Sequence, residues 1–482
     1  MRKRKRDENQ KKKGSNSEIL LMLYTFVGIF VVGILYFGIF IAKDSRSVIN
    51  NSYNKRANLL AQTIFRGNIL SSDGDILAHS VDRGDGTEKR VYPYGDMFVH
   101  VVGRFDHSKT GLEASEDFTL LTSSINPIET VYNQLTDTKS IGDNIITTLD
   151  VDLQKVAYNA LGNRRGAIVV MEPSTGKILA MVSKPDYDPN QVNEEWDRLI
   201  ADENKRSPLL NRATQGLYPP GSTFKMVTLL SYIRQNPNYK KYTYDCTGEA
   251  EFGDSTIHCY NHKVHGEQTL KEAFANSCNT AFSTLGTKLD LNVYRDLCNR
   301  ILLNTELPVD FTYKKGSFVL NSSSDIMEVA QTMIGQGKTL VTPLFNAMFV
   351  SAIANDGNVM TPYLVDHIEN YHGHIVSKNT PKMYKNIMTT KEAGVLSDYM
   401  KAVVEQGTAT SLKNSSYTVA GKTGTAEVGS NERAHAWFAG FAPATNPKVA
   451  VSIIVENGGV ASENAVPIAK KIFHAYFDKY SK

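Results

Sequence analysis

The sequence predicts an α+β fold in which one antiparallel sheet is flanked by helices, preceded by a transmembrane helix and a small N-terminal domain. Three observations lead to this prediction. A long apolar segment lies near the N-terminus, strand-like apolar runs occur in two sets far apart, and helical patterns lie between and after them. We expect a basic tail over residues 1–18, the membrane helix over 19–42, the small domain over 43–145 and the main domain over 146–482.

The first 42 residues indicate a membrane anchor. Residues 1–18 are rich in lysine and arginine, and residues 19–42 contain no charged side chain. At about 1.5 Å per residue this helix crosses a hydrocarbon core of about 30 Å, and the positive-inside rule keeps the basic tail in the cytoplasm. A cleaved signal peptide is the alternative, but its apolar region is typically shorter, about 7 to 15 residues. We therefore expect a single-pass cell-membrane protein whose main domain is extracytoplasmic.

Composition and charge argue against a nucleic-acid-binding protein. The 482 residues are 41% hydrophobic and 21% charged, which is typical of a folded globular chain. The formal net charge is only +3 at pH 7, and the chain without its basic tail is slightly acidic. A nucleic-acid partner therefore has little electrostatic support.

Residues 43–145 have the patterns of a small pedestal domain. Helical periodicity from Ser47 to Phe65 indicates a stalk that continues from the membrane helix. The runs 66–70 and 73–78 indicate two short strands around a turn. The region assembles no catalytic set of side chains, so we expect it to hold the main domain away from the bilayer.

The main domain is predicted to draw the two parts of its sheet from opposite ends of its sequence. A helix begins near Asp150, and a strand hairpin follows at 166–172 and 177–183. Three further strands are predicted at 417–428, 434–441 and 449–456, and a helix over 464–477 closes the chain. We expect one antiparallel sheet with a long helical segment between its two parts.

Ser222 and Lys225 form a candidate nucleophile and base. Pro219, Pro220 and Gly221 interrupt the preceding structure, and helical periodicity follows, so Ser222 is predicted at a helix N-terminus. Lys225 lies three residues later on the same helix face, where its amine can take the proton of the Ser222 hydroxyl. For these two residues alone, an N-capping serine beside a solvated lysine is the alternative.

Two later motifs supply partners for this pair. Ser277 and Asn279 form an S-x-N motif, and Lys422 begins a Lys-Thr-Gly motif. Burial beside Lys422 is expected to lower the pKa of Lys225 and so to make its amine a base. Ser277 can pass the proton to the leaving amine, and the amide of Asn279 can hold Lys225 and the substrate backbone.

The Lys-Thr-Gly segment is a candidate substrate-binding strand. Lys422 and the hydroxyls of Thr423 and Thr425 can bind a substrate carboxylate, and Gly424 lets a ligand approach the strand closely. The N–H groups of Ser222 and Thr425 are candidates for an oxyanion hole. Taken singly, a Lys-Thr-Gly run also fits an ordinary edge strand with a glycine bulge.

The ordered trio S-x-x-K, S-x-N and K-T-G resembles the signature of penicillin-binding proteins and class A β-lactamases. From the membrane anchor to near the C-terminus, the chain is similar to class B penicillin-binding proteins, the monofunctional D,D-transpeptidases of peptidoglycan assembly. Other segments that agree with this family include Arg66-Gly67, Gly111-Leu112-Glu113, Gly335-Gln336-Gly337 and His435-Ala436-Trp437-Phe438. The resemblance implies a penicillin-binding, β-lactamase-like transpeptidase fold.

The same resemblance implies a reaction and partners. It implies an acyl-enzyme on Ser222, formed from a stem peptide ending in D-Ala-D-Ala with loss of the last alanine and resolved by an amine of a neighbouring stem. β-Lactams are the implied covalent inhibitors, no cofactor is required, and cell shape or cell division is the implied setting. It also implies a SEDS-type glycan polymerase as partner, because about a hundred residues before Asp150 leave no room for a glycosyltransferase domain.

Two alternatives on the same fold stay open from the sequence. A membrane-bound β-lactamase or β-lactam sensor would share the trio, but a class A β-lactamase needs a glutamate for its deacylating water. No E-x-x-L-N pattern lies between Asn279 and Lys422. A non-catalytic cell-wall scaffold has no need to retain Lys225.

The cysteines suggest a structural zinc as a second hypothesis. Asp254, His258 and Cys259 lie close in sequence, and Cys278 lies inside the S-x-N motif. We expect these four residues to hold zinc and to pin the S-x-N loop, with Cys246 or His265 as substitute ligands. A disulfide between Cys246 and Cys259 is the alternative on the oxidising side of the membrane.

Overall fold

The computed structural model describes residues 2–43, 56–85, 87–136, 138–413, 416–429 and 432–480. It divides into two compact units, residues 1–62 and 63–482. In the first unit, the helix Arg2–Lys43 contains the segment Ser17–Phe40, which is long and apolar enough to cross a membrane. This agrees with the predicted anchor, whose orientation stays a prediction. Of the predicted stalk, the helix Arg56–Thr63 is observed, and residues 47–55 lie outside the described ones.

The second unit contains the remaining helices and all the described strands. Its α-helices are Val99–Val102, Gly111–Ser115, Asp117–Leu120, Pro127–Leu135, Val151–Leu161, Val192–Ala201, Arg212–Gln215, Lys225–Gln235, Leu270–Ala275, Asn279–Gly286, Leu291–Arg300, Ile326–Met333, Pro343–Ala354, Thr390–Glu405, Ala461–Asn464 and Val466–Tyr480. Its strands are β1 Ile64–Phe65, β2 Ile69–Leu70, β3 Ile76–Asp82, β4 Glu88–Val91, β5 Ser140–Ile141, β6 Asn144–Thr147, β7 Gly166–Met171, β8 Ile178–Lys184, β9 Thr243–Cys246, β10 Glu249–Phe252, β11 Ser255–His258, β12 Gly266–Thr269, β13 Asn358–Met360, β14 Val365–Glu369, β15 Ile375–Lys378, β16 Met383–Asn386, β17 Ala420–Ala426, β18 His435–Ala442 and β19 Val449–Val455.

The predicted antiparallel sheet is present, in the order β17-β18-β19-β7-β8. The hairpin β7–β8 is followed along the chain by a long segment of helices, which also contains the short strands β9–β16 that were not predicted, and the last three strands return to pair with β7 through β19. Every residue of β7, β18 and β19 is buried, so the sheet is covered on both faces. Among the helices that pack on it are Pro343–Ala354, Val151–Leu161 and Val466–Tyr480.

A second, six-stranded sheet has the order β15-β14-β6-β2-β3-β4. The two short strands predicted near residues 66–78 are its strands β2 and β3. Its far edge comes from two strands late in the sequence: β14 pairs with β6, and β15 pairs with β14. The small sheet is therefore completed by a distant segment, and the domain boundary after residue 145 stays a prediction.

A buried ion network, which we call the Glu113 network, lies beside this sheet. Its members are Arg66, Arg90, Glu113 and Asp117. The Nε atoms of Arg66 and Arg90 donate to opposite oxygens of the Glu113 carboxylate, at 2.8 and 2.7 Å. Asp117 accepts from Arg66 at 2.5 Å. Glu113 is completely buried, so the two guanidinium groups replace the water that its charge has lost.

Candidate active site

Ser222 lies in a tight turn that we call the nucleophile turn, the 3₁₀ segment Gly221–Phe224. Ser222 is predicted at a helix N-terminus, but the α-helix begins only at Lys225, so Ser222 lies in a 3₁₀ turn that precedes it. The close approach of two neighbours explains the difference. Gly221 has a φ of 52°, and a Cβ there would lie 2.7 Å from the carbonyl oxygen of Thr425. The N–H of Gly221 donates to Gly335 O at 2.9 Å.

The amine of Lys225 is buried and joins the first two motifs. Its Nζ donates to the Ser277 carbonyl oxygen and to Asn279 Oδ1, both at 2.7 Å, and to Ser277 Oγ at 3.3 Å. None of its described hydrogen bonds reaches the Ser222 hydroxyl. The predicted convergence of Lys225 with Ser277 and Asn279 is therefore observed, and proton transfer from Ser222 stays a prediction.

The hydroxyl of Ser277 lies between two lysine amines. Lys225 precedes Ser277 in the sequence and Lys422 follows it, and Lys422 donates to Ser277 Oγ at 2.9 Å. Ser277 has a φ of 55°, a left-handed conformation that is uncommon for a residue with a side chain. Such backbone geometry persists only where the surrounding structure imposes it, as it does at many active sites.

Burial makes both lysines weaker bases than free lysine. It lowers the pKa of Lys225 to about 8, while the thiols of Cys278 and Cys259 act in the opposite direction. Burial, and then the charge of Lys225, lower the pKa of Lys422 well below its usual value. We expected burial beside Lys422 to lower the pKa of Lys225. In the structure burial is the cause of that lowering, and the charge of Lys225 lowers the pKa of Lys422 in addition to burial.

Strand β17 forms one wall of a cavity of about 610 Å³. Residues from all three motifs line this cavity: Ser222, Ser277, Asn279, Thr423 and Thr425. A Cβ on Gly424 would lie 3.1 Å from the carbonyl oxygen of Pro220, so this glycine lets β17 lie against the nucleophile turn. The structure thus brings Thr423 and Thr425 to the same cavity as the predicted nucleophile, whereas Lys422 is completely buried and is not among the residues that line it.

Trp437 is a positioning residue to which the sequence reasoning assigned no role. Its indole Nε1 donates to the carbonyl oxygen of Pro219 at 3.0 Å, and its side chain is completely buried in β18. Tyr218, one residue earlier, hydrogen-bonds Glu456 at 2.6 Å. These contacts fix the chain that enters the nucleophile turn. The His-Ala-Trp-Phe motif was noticed in the sequence, but a strand pattern does not show where an indole N–H points.

The zinc prediction is wrong in two of its four ligands. The structure brings together the thiols of Cys246, Cys259 and Cys278 with an imidazole nitrogen of His265, all within 4.8 Å of one another. We call these four residues the Cys3His cluster. The substitute ligands Cys246 and His265 are therefore both members, and all four cysteines of the chain are free thiols.

Backbone geometry explains why Asp254 and His258 are not in the cluster. Asp254 is exposed in the turn between β10 and β11. His258 and Cys259 are neighbours in extended chain, where successive side chains point to opposite sides. Cys259 is buried and His258 is exposed, so the two side chains cannot bind the same ion.

The antiparallel sheet, the nucleophile turn and the two buried lysines define the class of penicillin-binding transpeptidase folds. The family model described as "Penicillin binding protein transpeptidase domain" matches residues 166–476, and "Penicillin binding protein A dimerisation domain" matches residues 66–145. The chain belongs to this family, as a class B penicillin-binding protein.

Similar proteins occur in several bacteria. The peptidoglycan D,D-transpeptidase PbpA of Mycolicibacterium smegmatis is 35% identical over 84% of this chain and 87% of its own. MrdA of Acinetobacter baumannii is 29% identical over 79% of this chain and 65% of its own. The ceftriaxone acyl-enzyme complex of Mycobacterium tuberculosis penicillin-binding protein A matches with a TM-score of 0.79 and 31% identity, covering 86% of this chain and 99% of that one.

Proposed function

We propose that this protein is a peptidoglycan D,D-transpeptidase that acts through a serine acyl-enzyme on Ser222. One observation carries the proposal. The Ser277 hydroxyl lies within hydrogen-bond distance of two buried lysine amines, and Ser222 opens onto the same cavity. Relatives named D,D-transpeptidases and β-lactam acyl-enzymes of similar structure support it.

In the first step, Ser222 Oγ attacks the carbonyl carbon of the penultimate D-Ala of a stem peptide. The Ser222 proton passes to the neutral amine of Lys225, whose lowered pKa makes that form accessible near neutral pH. When the peptide C–N bond breaks, the terminal D-Ala leaves as an amine that takes a proton from the Ser277 hydroxyl. Lys225, which now carries the Ser222 proton, replaces the proton of Ser277, because its Nζ also donates to Ser277 Oγ at 3.3 Å.

In the second step, an amine of a neighbouring stem attacks the ester carbonyl, its proton returns through the same groups, and Ser222 is released. The N–H groups of Ser222 and Thr425 bind the developing oxyanion, and Lys422, Thr423 and Thr425 bind the substrate carboxylate. β-Lactams acylate Ser222 by the same first step. The apolar helix Ser17–Phe40 anchors the enzyme in the cell membrane, with the cavity outside, beside a SEDS-type glycan polymerase.

Labelled penicillin tests the proposal on the full-length protein in membranes. We expect a covalent adduct that maps to the peptide containing Ser222 and that disappears in Ser222→Ala. Ser462→Ala is the matched control, because Ser462 also lines the cavity but belongs to none of the three motifs. An adduct on another residue, or labelling that survives in Ser222→Ala, would overturn the assignment.

The lifetime of the adduct separates the two enzyme classes. A transpeptidase keeps the penicilloyl group for many minutes, and the E-x-x-L-N pattern that would supply a deacylating glutamate does not occur between Asn279 and Lys422. Loss of the adduct within seconds would favour a β-lactamase, and no adduct at all would favour a non-catalytic scaffold.

We also propose that the Cys3His cluster holds a structural zinc. Sulfur ligands at about 2.3 Å from a tetrahedral zinc lie about 3.8 Å apart. The Sγ atoms of Cys246 and Cys278 each lie 3.7 Å from that of Cys259. The His265 Nδ1 lies 3.3 Å from Cys246 Sγ. The donor set and its spacing fit zinc, which would tie Cys278 of the S-x-N loop to the segment that carries β9–β12.

Metal analysis after exhaustive dialysis tests this second proposal. We expect about one zinc per chain, lost in Cys259→Ser and retained in Cys298→Ser. Cys298 is the matched control, because it is buried in the helix Leu291–Arg300 and is not in the cluster. Zinc-free protein, or a mass two protons lower than expected for free thiols, would contradict the site.

A further inference from the structure

We propose that Glu249, His258 and His262 form a second, exposed site for a divalent transition metal on the wall of the active-site cavity. One ligand atom from each of these residues lies within 4.8 Å of the other two. The His258 Nδ1 lies 3.4 Å from a Glu249 carboxylate oxygen, and the two imidazole rings lie 4.3 Å apart between centroids. We call these residues the rim site.

Local structure brings the three side chains together. Glu249 and His258 are directly opposite each other in the β10–β11 hairpin, where facing side chains are close. The chain then turns back, because Asn261 and His262 both have a φ of 53° in the left-handed region. The turn brings His262 next to His258, which lies four residues earlier, although the segment is not an α-helix.

The rim site is separate from the Cys3His cluster although it shares the same segment. Cys259 faces the protein interior and His258 faces solvent, so each side chain belongs to a different group. The buried cluster supplies sulfur ligands and fills a tetrahedron, which is typical of a structural zinc. The rim site supplies two imidazoles and one carboxylate, which suit zinc, copper or nickel and leave a coordination position open.

The open position would face the reaction chamber. His258 and His262 both line the cavity that contains Ser222. The backbone of His258 is tied to the S-x-N motif, because Asn279 Nδ2 donates to its carbonyl oxygen at 2.9 Å. A metal ion at the rim site therefore adds a fixed positive charge to the cavity wall, where it can take a carboxylate oxygen of an entering ligand.

Zinc titration of the full-length protein in detergent, against a competing chelator, tests the proposal. We expect about two zinc ions per chain at micromolar free zinc, and about one in His258→Ala/His262→Ala. The ion that remains is the one that the dialysed protein retains. His372→Ala/His374→Ala is the matched control, because it also removes two neighbouring exposed histidines, one of them paired with Glu129, that do not converge with a third ligand.

Cobalt supplies a second readout. Thiolate ligands give bound Co²⁺ an intense near-ultraviolet charge-transfer band, and imidazole and carboxylate ligands do not. We expect the second cobalt equivalent to bind without that band in wild type and to be absent from His258→Ala/His262→Ala. Equal stoichiometry in wild type and this variant, or a second equivalent seen only at millimolar metal, would overturn the rim site. Since binding is measured without acylation, either result leaves the transpeptidase proposal standing.

Discussion

The Glu113 network and the lysine pair of the active site differ in whether their buried cationic side chains have carboxylate partners. In the network, Arg66 and Arg90 share one buried carboxylate. In the active site, Lys225 and Lys422 are equally buried, and neither forms an ion pair with any described residue. Their partners are neutral oxygen atoms of Ser277, Asn279 and Thr423.

The pKa directions record this difference. Burial alone would raise the pKa of Glu113, but the charges of Arg90 and Arg66 outweigh it and the pKa falls. At the lysine pair burial outweighs the opposing effect of Cys278 and Cys259 on Lys225, and both amines are pushed toward their neutral forms. A buried cation that is paired with a carboxylate stabilises the fold. A buried amine without such a partner loses its proton more readily and is available as a base. The following four predictions test that division, from the largest expected effect to the smallest.

Lys225→Met should abolish most acylation while leaving the fold intact. We expect the penicillin acylation rate to fall by about 10²- to 10⁴-fold, because the general base is lost. The melting temperature should stay the same or rise, since an apolar side chain replaces a buried unpaired amine. Lys271→Met is the control, because Lys271 forms an exposed ion pair with Asp398. A large drop in melting temperature would mean that Lys225 is chiefly structural.

Glu113→Ala should do the reverse. Removing the shared carboxylate leaves the buried Arg90 guanidinium without an ion-pair partner among the described residues and leaves Arg66 with Asp117 alone, which costs about 3–5 kcal/mol in the free energy of unfolding. Glu129→Ala should change it by less than about 0.5 kcal/mol, because Glu129 is a partly exposed partner of His372. Chemical denaturation measures both. If Glu113→Ala lowered the free energy of unfolding by less than Glu129→Ala does, the contrast between the Glu113 network and the lysine pair would not hold.

The acylation rate should depend on pH through Lys225. Its pKa of about 8 means that the neutral amine becomes scarce below pH 8, so the second-order rate should fall about tenfold per pH unit there and level off above. Stability should also rise from pH 8 toward the ordinary lysine pKa of about 10.4, because the unfolded chain then binds the extra proton. Lys225→Met should lose the part of this rise that Lys225 contributes, while the buried Lys422 keeps its own contribution. A pH-independent rate between about pH 6 and pH 9 would exclude Lys225 as the base.

Trp437→Phe should give the smallest effect. It removes the hydrogen bond to Pro219 and keeps most of the buried aromatic volume. We expect the activation free energy of acylation to rise by about 0.5–1.5 kcal/mol, which lowers the acylation rate by up to about tenfold. Trp196→Phe, at the other tryptophan of the chain, should leave the rate unchanged, because Trp196 packs on Arg104 and His107. Equal rates in both variants would show that the indole N–H does not position the turn.

Sequence patterns predicted the sheet and the meeting of the motifs, because apolar periodicity and short motifs are local signals. The strands predicted at 166–172, 434–441 and 449–456 lie within a residue or two of β7, β18 and β19. The start of the helix at Lys225 was missed because Gly221 is shaped by contacts with Gly335 and Thr425, more than a hundred residues away. Asp254 and His258 were predicted to join Cys259 and Cys278 but do not, because proximity in sequence does not show on which side of the chain a side chain lies.

The strand order of the main sheet has a consequence for biosynthesis. The hairpin β7–β8 and the nucleophile turn are synthesised long before β19, the strand that pairs with β7. Until β17 has been synthesised, the chain lacks both Lys422 and the strand that forms one wall of the cavity beside Ser222. A premature stop codon upstream of Ala420 therefore yields an inactive fragment instead of an enzyme with reduced activity. For the same reason, incomplete chains are not acylated by penicillin.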